Sequence, residues 1–229
     1  MDGIRIFFFD TSKFLDVIDK QSYQCFLDGN LFKSQKRIEQ YCLGRFLIKY
    51  VLKKYYSIEN PTIVLKNKKP CLQLNNENDL QISFSLSHSR NMIMAAFYAS
   101  NEKDVELGLD IEYMKPRDFE KLLKYYQVET DVYDAKTFYS FWTQYEANIK
   151  LQSVQKTMFT CGFLNEFILS LVTNIDILDI EKNVEFCEFI IDENVLNNGV
   201  LDLKYLFDNS NTKTFSTKIF KNRGLNECV

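Results

Sequence analysis

Residues 82–89 read ISFSLSHS, in which serine alternates with residues that are apolar until the final histidine. Side chains on a β-strand point in turn to opposite faces, so this period of two predicts a strand with one buried face and one face of hydroxyls. Residues 89–91 are typical of a turn, and the apolar run 92–99 predicts a strand returning beside the first. A third strand is predicted over residues 105–112, so we expect this block to form a three-stranded antiparallel meander.

Helical periodicity stands on both sides of this block. Between residues 33 and 56 an apolar side chain recurs at every fourth position, which predicts one long helix. Further helices are predicted at 120–126 and 135–151, and further strands at 4–9, 63–65, 167–172, 186–191 and 215–220. This order indicates an α+β fold with two lobes of similar plan. We place the boundary after residue 112, between an N-terminal lobe (1–112) and a C-terminal lobe (113–229).

The composition indicates a globular protein with a large core. Hydrophobic residues make up 46% of the 229 residues and aromatic residues 15%, while 7 Gly and 3 Pro leave little room for flexible linkers. No apolar run approaches the roughly 20 residues that span a bilayer. The six cysteines contain no CxxC pair. We therefore expect reduced thiols in a cytoplasmic protein that has neither a membrane nor a nucleic acid as its partner.

Charge is distributed unevenly along the chain. Residues 33–69 contain ten Lys or Arg and two acids, whereas residues 174–210 contain nine acids and two Lys. The basic segment suggests an anionic ligand or partner. An ordinary solvated helix face is the alternative, and composition alone does not choose between the two.

Asp110 and Glu112 lie two positions apart on a predicted strand, so their carboxylates share one face. Two such carboxylates repel each other unless one is protonated or both share a cation, and Mg²⁺ prefers hard oxygen ligands. A solvated acidic strand face is the alternative interpretation of this pair.

Trp142, Glu146 and Lys150 recur at intervals of four on the helix predicted over 135–151, so they form one row. In a functional interpretation Glu146 is a third oxygen ligand or a general base, and Lys150 contacts a phosphate. The alternative is a surface ion pair worth about 0.3–0.5 kcal/mol, with Trp142 in the core.

His88 is the only histidine of the chain and ends the apolar face of its predicted strand. It is a candidate phosphate ligand, and a histidine satisfied in the core or in the turn is the alternative. The sequence has no Cys/His cluster typical of zinc, no GxxxxGK(S/T) loop for a nucleoside triphosphate and no nucleophile elbow of a Ser-His-Asp hydrolase.

Three segments, in this order, resemble the signature motifs of the 4′-phosphopantetheinyl transferases of the surfactin-synthetase-activating type. They are FSLSHS at 84–89, GLDIE at 108–112 and FWTQYEANIK at 141–150. The family patterns are F-N/S-I/L-S-H-S, G-I/V/L-D-I/V-E and W-x-x-K-E-A/S-x-x-K, and Lys69-Pro70 resembles the family's G-K-P turn. The resemblance covers residues 37–150; the rest is similar in length and strand-like character.

This resemblance implies a monomer of two pseudo-symmetric α+β lobes, the phosphopantetheinyl transferase fold, with coenzyme A in the cleft between them. It implies a magnesium-dependent enzyme that transfers the 4′-phosphopantetheine arm of coenzyme A to a serine hydroxyl of an acyl- or peptidyl-carrier protein. Adenosine 3′,5′-bisphosphate is the implied second product. Carriers of this class are acidic helical bundles, so the surface that receives them is expected to be basic or apolar.

The matched positions carry the roles that the resemblance implies. Asp110, Glu112 and Glu146 correspond to the magnesium ligands, and Glu146 is also the implied general base. The implied catalytic residues are Asp110, Glu146 and Lys150. The residues implied to contact coenzyme A are His88, Ser87, Lys150, Arg45, Lys69 and Pro70.

Some positions depart from the family patterns. Tyr145 stands where the first Lys of W-x-x-K-E is usual, and Lys68 replaces the Gly of G-K-P. Gln40 occupies the place of a basic residue early in the first helix, for which Arg37 or Arg45 would compensate. A non-catalytic module that binds coenzyme A or a carrier protein is the main rival interpretation. An unrelated magnesium phosphotransferase is disfavoured because no triphosphate loop is present.

Overall fold

The computed structural model describes residues 3–13, 18–27, 32–66, 69–73, 81–102, 104–191 and 210–216. This part of the chain contains three α-helices: α1 (Gln35–Tyr56), α2 (Phe119–Tyr125) and α3 (Ala135–Leu151). Its strands are β1 (Ile4–Asp10), β2 (Thr62–Lys66), β3 (Lys69–Gln73), β4 (Gln81–Ser89), β5 (Met92–Ser100), β6 (Leu107–Tyr113), β7 (Thr157–Phe163), β8 (Phe167–Thr173), β9 (Val184–Ile191) and β10 (Ser210–Ser216). This mixture of helices and sheets confirms the predicted α+β class.

Two larger sheets and one hairpin organise the described strands. A five-stranded sheet has the order β10-β9-β1-β5-β4, and a three-stranded sheet has the order β6-β8-β7. Neighbouring strands are antiparallel, except that β1 and β9 pair in parallel. The hairpin consists of β2 and β3. Because β9 follows β1 by more than 170 residues, the five-stranded sheet needs both ends of the chain.

The two larger sheets pack face to face between the two long helices. Alternation along β1 places Ile4, Ile6 and Phe8 in the core between the sheets, whereas Phe7 and Phe9 pack with α1. On the far side of the three-stranded sheet, Ala147 and Leu151 of α3 are buried against Val172 of β8. The layers therefore follow the order α1, five-stranded sheet, three-stranded sheet, α3.

α1 confirms the long helix predicted between residues 33 and 56, and its caps explain its ends. The Ser34 side chain accepts a hydrogen bond from the Arg37 N–H group at the start. Ser57 ends the helix in the left-handed conformation, with a φ of 58°. Fully buried side chains such as Leu47 and Val51 pack into the core beneath it, each contributing about 1.5–3 kcal/mol by burial.

The predicted three-stranded meander is wrong in its third strand. β4 and β5 form the expected hairpin, but β6 pairs with β8 in the other sheet. The reason is that β5 already has β4 on one edge and β1 on the other, so it has no edge left for β6. An alternating pattern predicts a strand but does not specify its neighbour.

Other differences concern short elements. The strands β3 and β7 were not predicted, and pairing with β2 and β8 accounts for them. The strand predicted over 215–220 begins earlier, at Ser210, and residues 217–220 lie outside the described residues, as does the loop predicted around 75–78. The boundary predicted after residue 112 falls within β6, and β9 pairs with β1. The division into two lobes stays a prediction.

Two expectations from the sequence, the lack of a membrane-spanning segment and the reduced state of the cysteines, concern residues that the structure describes. None of the described helices has an apolar stretch of the length that a bilayer crossing needs. Among the described thiols, no disulfide joins Cys42, Cys71, Cys161 or Cys187. The side chain of Cys25 and all of Cys228 lie outside the described part of the chain.

Gly108 sets how closely α3 approaches β6. A Cβ atom at this residue would lie 2.0 Å from the carbonyl oxygen of Ala147 and 2.8 Å from Cγ2 of Val172. Any side chain at residue 108 would therefore force the helix away from the strand. Lys150, about one turn further along α3, would then lose its position over β6.

We expect Gly108→Ala to lower the free energy of unfolding by about 2–3 kcal/mol, because the added methyl group clashes with backbone atoms. Gly44→Ala is the matched control, since its Cβ would meet only the flexible end of the Leu86 side chain, at 2.8 Å, and alanine favours a helix. Urea unfolding followed by circular dichroism measures both variants. Equal stability of the two would contradict the close packing of α3 on β6.

Candidate functional site

At its edge next to β4, β6 is bonded by side chains instead of by another strand. Three serine hydroxyls of β4 accept hydrogen bonds from alternate N–H groups of β6: Ser85 from Leu109 at 2.9 Å, Ser87 from Ile111 at 3.3 Å and Ser89 from Tyr113 at 2.9 Å. Side chains two positions apart share a strand face, so these serines form one row. We call this row, Ser85, Ser87 and Ser89, the serine ladder. It joins the two larger sheets beside the predicted acidic pair.

Asp110 is almost fully buried, with 6% of its surface exposed. Its Oδ1 atom accepts hydrogen bonds from the Ser87 hydroxyl at 2.8 Å and from the Lys150 ammonium at 2.7 Å. Its Oδ2 atom is also buried, and no group in the described part of the chain donates to it. An unsatisfied buried carboxylate oxygen costs free energy, and a cation or a proton donor beside this atom would remove that cost.

Lys150 connects α3 to β6. Besides Asp110, its ammonium donates to the Leu109 carbonyl at 2.8 Å and to the Ser87 hydroxyl at 3.2 Å. The close approach of α3 at Gly108 brings the ammonium within reach of these acceptors. Because 28% of the Lys150 side chain remains exposed, an anion can also approach it from solvent.

Glu112 lies on the same face of β6 as Asp110. The Ser89 hydroxyl donates to its Oε2 atom at 2.8 Å. Partial burial raises the pKa of Glu112 above its usual value, and the charge of Asp110 raises it further. The Ser89 hydrogen bond and the charges of Arg117 and Lys150 oppose this rise. Net repulsion between the two carboxylates is what a shared cation would relieve.

Glu146 lies on α3, about one turn before Lys150, and is half-buried. Among the described residues, no three His, Cys, Asp or Glu side chains are close enough together to hold a metal ion. Asp110, Glu112 and Glu146 therefore form no three-acid cluster in the described part of the chain. The roles of Glu146 as a metal ligand and general base stay predictions.

A divalent cation fits the oxygen donors of the two acids on this face of β6. Asp110 and Glu112 present hard oxygen donors on one face, the ligand type that Mg²⁺ prefers. Oδ1 of Asp110 is occupied by Ser87 and Lys150, whereas Oδ2 is buried and unsatisfied. One oxygen of Asp110 thus has the protein as its partner, and the other suits a metal ion.

His88 is exposed at the end of β4, which excludes a histidine satisfied in the core and leaves a histidine satisfied in the turn as the alternative. Partial desolvation by surrounding protein lowers its pKa, and the positive charges of Lys150 and Arg37 lower it further. A backbone hydrogen bond and the charge of Asp110 act in the opposite direction. Lys150 and Arg37 thus place positive charge near the ring, and this charge would attract an anion.

Lys69 reaches β6 from β3. Its ammonium donates to the Leu107 carbonyl at 2.7 Å, two residues before the carbonyl that Lys150 bonds. Burial lowers the pKa of Lys69, and Lys150 contributes to the decrease, whereas Glu106 and Cys71 oppose it. The structure thus brings the predicted residues Lys69 and Lys150 to neighbouring positions along one strand edge.

An open cavity of about 290 Å³ lies beside Lys69. Lys66, Lys69 and Pro70 of the β2–β3 hairpin line it, and Glu106 contributes to the same wall. The Oε2 atom of Glu106 is buried, and no described group donates to it. The volume is close to the lower end of small-molecule pockets, about 300 Å³, so the cavity can take part of a larger ligand.

Arg45, another predicted contact of coenzyme A, is buried in α1 with 5% of its surface exposed. Its Nε atom donates to the Tyr41 hydroxyl at 3.2 Å, and its guanidinium lies 5.2 Å from the centre of that ring. Neither contact joins it to the serine ladder. Arg37, the other candidate for the early basic position, is the arginine whose charge acts on His88.

Some residues of the site were not predicted from the sequence. Ser85 and Ser89 were recognised as members of an alternating strand and of the motif at 84–89 but were given no role, and Glu106 was not singled out. The sequence feature that could have pointed to them is the set of four serines at alternate positions of this strand. A buried row of hydroxyls needs hydrogen-bond partners. Which groups satisfy them depends on the neighbour of β4, which the alternation does not specify.

Comparison with models of known protein families finds no match, and no curated protein is significantly similar to the chain. A functional conclusion therefore depends on the residues and contacts described above. The most specific of these contacts join Ser87, Asp110 and Lys150.

The single histidine allows a direct test of anion binding, because its ring signal is identified without assignment. We expect an NMR pH titration to give His88 a pKa below its ordinary value in the protein alone. Addition of coenzyme A should raise that pKa, since phosphate charge offsets Lys150 and Arg37. Arg37→Gln, as the control, should raise it without ligand. An unchanged pKa at saturating coenzyme A would contradict phosphate binding beside His88.

Proposed function

We propose that this protein is a 4′-phosphopantetheinyl transferase that acts on acyl- or peptidyl-carrier proteins. The serine oxygen of the carrier would bond to the phosphorus that bears the pantetheine arm of coenzyme A. The bond from that phosphorus to the bridging diphosphate oxygen would break, and adenosine 3′,5′-bisphosphate would leave. The serine proton needs a base, and the departing phosphate needs positive charge.

One observation carries this proposal: the three motif segments, which are distant in sequence, meet through hydrogen bonds. Ser87 of the first segment and Lys150 of the third both bond Oδ1 of Asp110 in the second. Ser87 and Lys150 also bond each other. If the three segments were neighbours only by chance, there would be no reason for Ser87 and Lys150 both to bond the same oxygen atom of Asp110.

The crowded positive charge suits a diphosphate. Lys150 lowers the pKa of both Lys69 and His88, so these three groups lie within electrostatic range. Arg37 adds to the field at His88. A bound polyanion would place negative charge beside these groups and would accept hydrogen bonds from them. In this proposal Lys69 and Pro70, beside the cavity, contact the adenosine half of coenzyme A.

Asp110 and Glu112 would hold a magnesium ion together with diphosphate oxygens. When bound, Mg²⁺ would supply Lewis-acid stabilisation of the charge that develops on the leaving phosphate. The protein's own contribution is orientation: Ser87 and Lys150 hold Oδ1 of Asp110 and thereby present Oδ2. All three N–H groups of Lys150 donate to protein acceptors, so contact with the phosphate would replace the longest of these hydrogen bonds, the one to Ser87 at 3.2 Å.

Glu146 is proposed as the base that takes the serine proton and as a third oxygen ligand. Its place on α3, about one turn from Lys150, puts the proposed base and a phosphate-contacting ammonium on the same helix. α3 is held against β6 at Gly108. The helix would therefore present both groups to the same bound substrate.

We further propose the two-lobe phosphopantetheinyl transferase fold, in a cytoplasmic monomer that receives the carrier on a basic or apolar surface. The layer order supports this fold, because each larger sheet is covered by one long helix. The motif residues lie where the two sheets adjoin, at the serine ladder. This is the position that a cleft between lobes would have.

A non-catalytic module that binds coenzyme A or a carrier protein is the second candidate. It is favoured by the lack, among the described residues, of a cluster of three acids that could hold a metal ion. It is also favoured by Tyr145, which stands where the family has a lysine. Both candidates bind coenzyme A, so only group transfer distinguishes them.

Incubation with coenzyme A, Mg²⁺ and apo carrier domains tests the proposed activity. We expect the mass of at least one carrier to increase by one phosphopantetheinyl group, measured by mass spectrometry over a panel of acyl- and peptidyl-carriers. Binding of coenzyme A with no mass increase across the panel would favour the binding module. Absence of both binding and transfer would refute both candidates.

Asp110→Asn is expected to slow transfer by about 100-fold or more, the order lost when one preorganised electrostatic group is removed. Lys150 would also lose its carboxylate partner, so stability should decrease by about 1.5–3 kcal/mol. Asp176→Asn is the control, since its pair with Lys156 spans 3.8 Å and leaves 84% of the Asp176 side chain exposed. Wild-type turnover in Asp110→Asn would show that Asp110 takes no part in transfer.

A further inference from the structure

The three members of the serine ladder make the same backbone bond but differ in what they do with their hydroxyl hydrogen. Each hydroxyl accepts one N–H group of β6. Ser87 donates to Oδ1 of Asp110 and Ser89 donates to Oε2 of Glu112, each at 2.8 Å. Opposite Ser85 the corresponding residue is Gly108, which has no side chain to receive a hydrogen bond.

The direction of these hydrogen bonds follows from the groups involved. A serine hydroxyl has one hydrogen to donate, and a backbone N–H group can only donate. The hydroxyl oxygen must therefore accept from Tyr113, and the only hydrogen of Ser89 is left for the Glu112 carboxylate. The backbone of β6 thus fixes the hydroxyl, and the hydroxyl fixes the carboxylate.

We propose that Ser89 is a positioning residue that holds the Glu112 carboxylate beside Asp110 for a divalent cation. This inference rests on the proposed function in one respect, since it takes Glu112 to be a metal ligand. Without the hydroxyl, repulsion from Asp110 would drive the Glu112 side chain towards solvent. Its several rotatable bonds would give it many positions in which it could not share a cation with Asp110.

Ser85 distinguishes this role from a purely structural one. Ser85 joins β4 to β6 by the same type of bond, at 2.9 Å, but contacts neither acid through its donor. Loss of the Ser85 hydroxyl therefore removes only the joint between the strands. Loss of the Ser89 hydroxyl removes a joint and the contact with Glu112. The difference between the two variants isolates the positioning of the carboxylate.

Mn²⁺ titration followed by electron paramagnetic resonance tests the inference, with the full chain and coenzyme A present. Ser89→Ala should weaken Mn²⁺ binding about 10- to 100-fold, the range found when a partner that orients a metal ligand is lost. Ser85→Ala and Ser89→Thr should bind Mn²⁺ as the wild type does. Binding of coenzyme A without metal should be the same in all four proteins, since Ser89 acts through Glu112.

A second pair of variants keeps the test valid if Ser89→Ala does not fold. Ser89→Thr and Ser89→Val differ only in whether the side chain carries a hydroxyl or a methyl group, and both residues suit a strand. Only the valine variant should lose Mn²⁺ affinity. Circular dichroism on each variant shows that the compared proteins are folded.

Three results would overturn the inference: Mn²⁺ affinity of Ser89→Ala equal to that of the wild type, an equal loss in Ser85→Ala, or no Mn²⁺ binding by the wild type. The transferase proposal fails separately. A wild type whose Mn²⁺ affinity depends on Ser89, but which leaves every carrier unmodified, would refute the transfer activity and support the positioning role.

Discussion

The edge of β6 that faces β4 is the constraint on which the rest of the site depends. Backbone N–H and C=O groups in a protein interior need hydrogen-bond partners, and at this edge side chains supply them. The serine ladder accepts the N–H groups, while Lys69 and Lys150 donate to carbonyls of the same strand. The bonds that complete β6 therefore also fix the groups that carry the proposed chemistry.

This arrangement of buried charges lowers the stability of the folded protein when no ligand is bound. Lys150 and Asp110 are a largely buried pair, and removing either would leave the other without its main counter-charge. Burial is the main reason why the pKa of Lys69 and of His88 is lowered and that of Glu112 is raised, and the crowding of like charges adds to each shift. Such crowding is typical of functional sites, because a ligand of opposite charge releases the stored free energy.

Much of the secondary structure was predictable because it depends on neighbouring residues. α3 has the predicted bounds, and α1 differs by two residues at its start, since apolar periodicity and caps are local properties. Pairing is not local. β6 was predicted to pair with β5. This pairing is impossible because β1 occupies the second edge of β5, and the pattern of a single strand does not show that. Gly108 was likewise recognised as part of a motif, but nothing in the sequence indicates that α3 packs closely against it.

By itself the sequence determined which chemical groups are available and on which elements they lie: two acids on one strand face, a lysine on a helix and alternating serines on another strand. Only the tertiary structure decided that Ser87 and Lys150 bond one oxygen atom of Asp110 and that Ser89 bonds Glu112. The physical reason is that residue type and periodicity act within a segment. The distance between two segments depends instead on sheet order and on the contact of α3 with Gly108, which residues far apart in the chain set together.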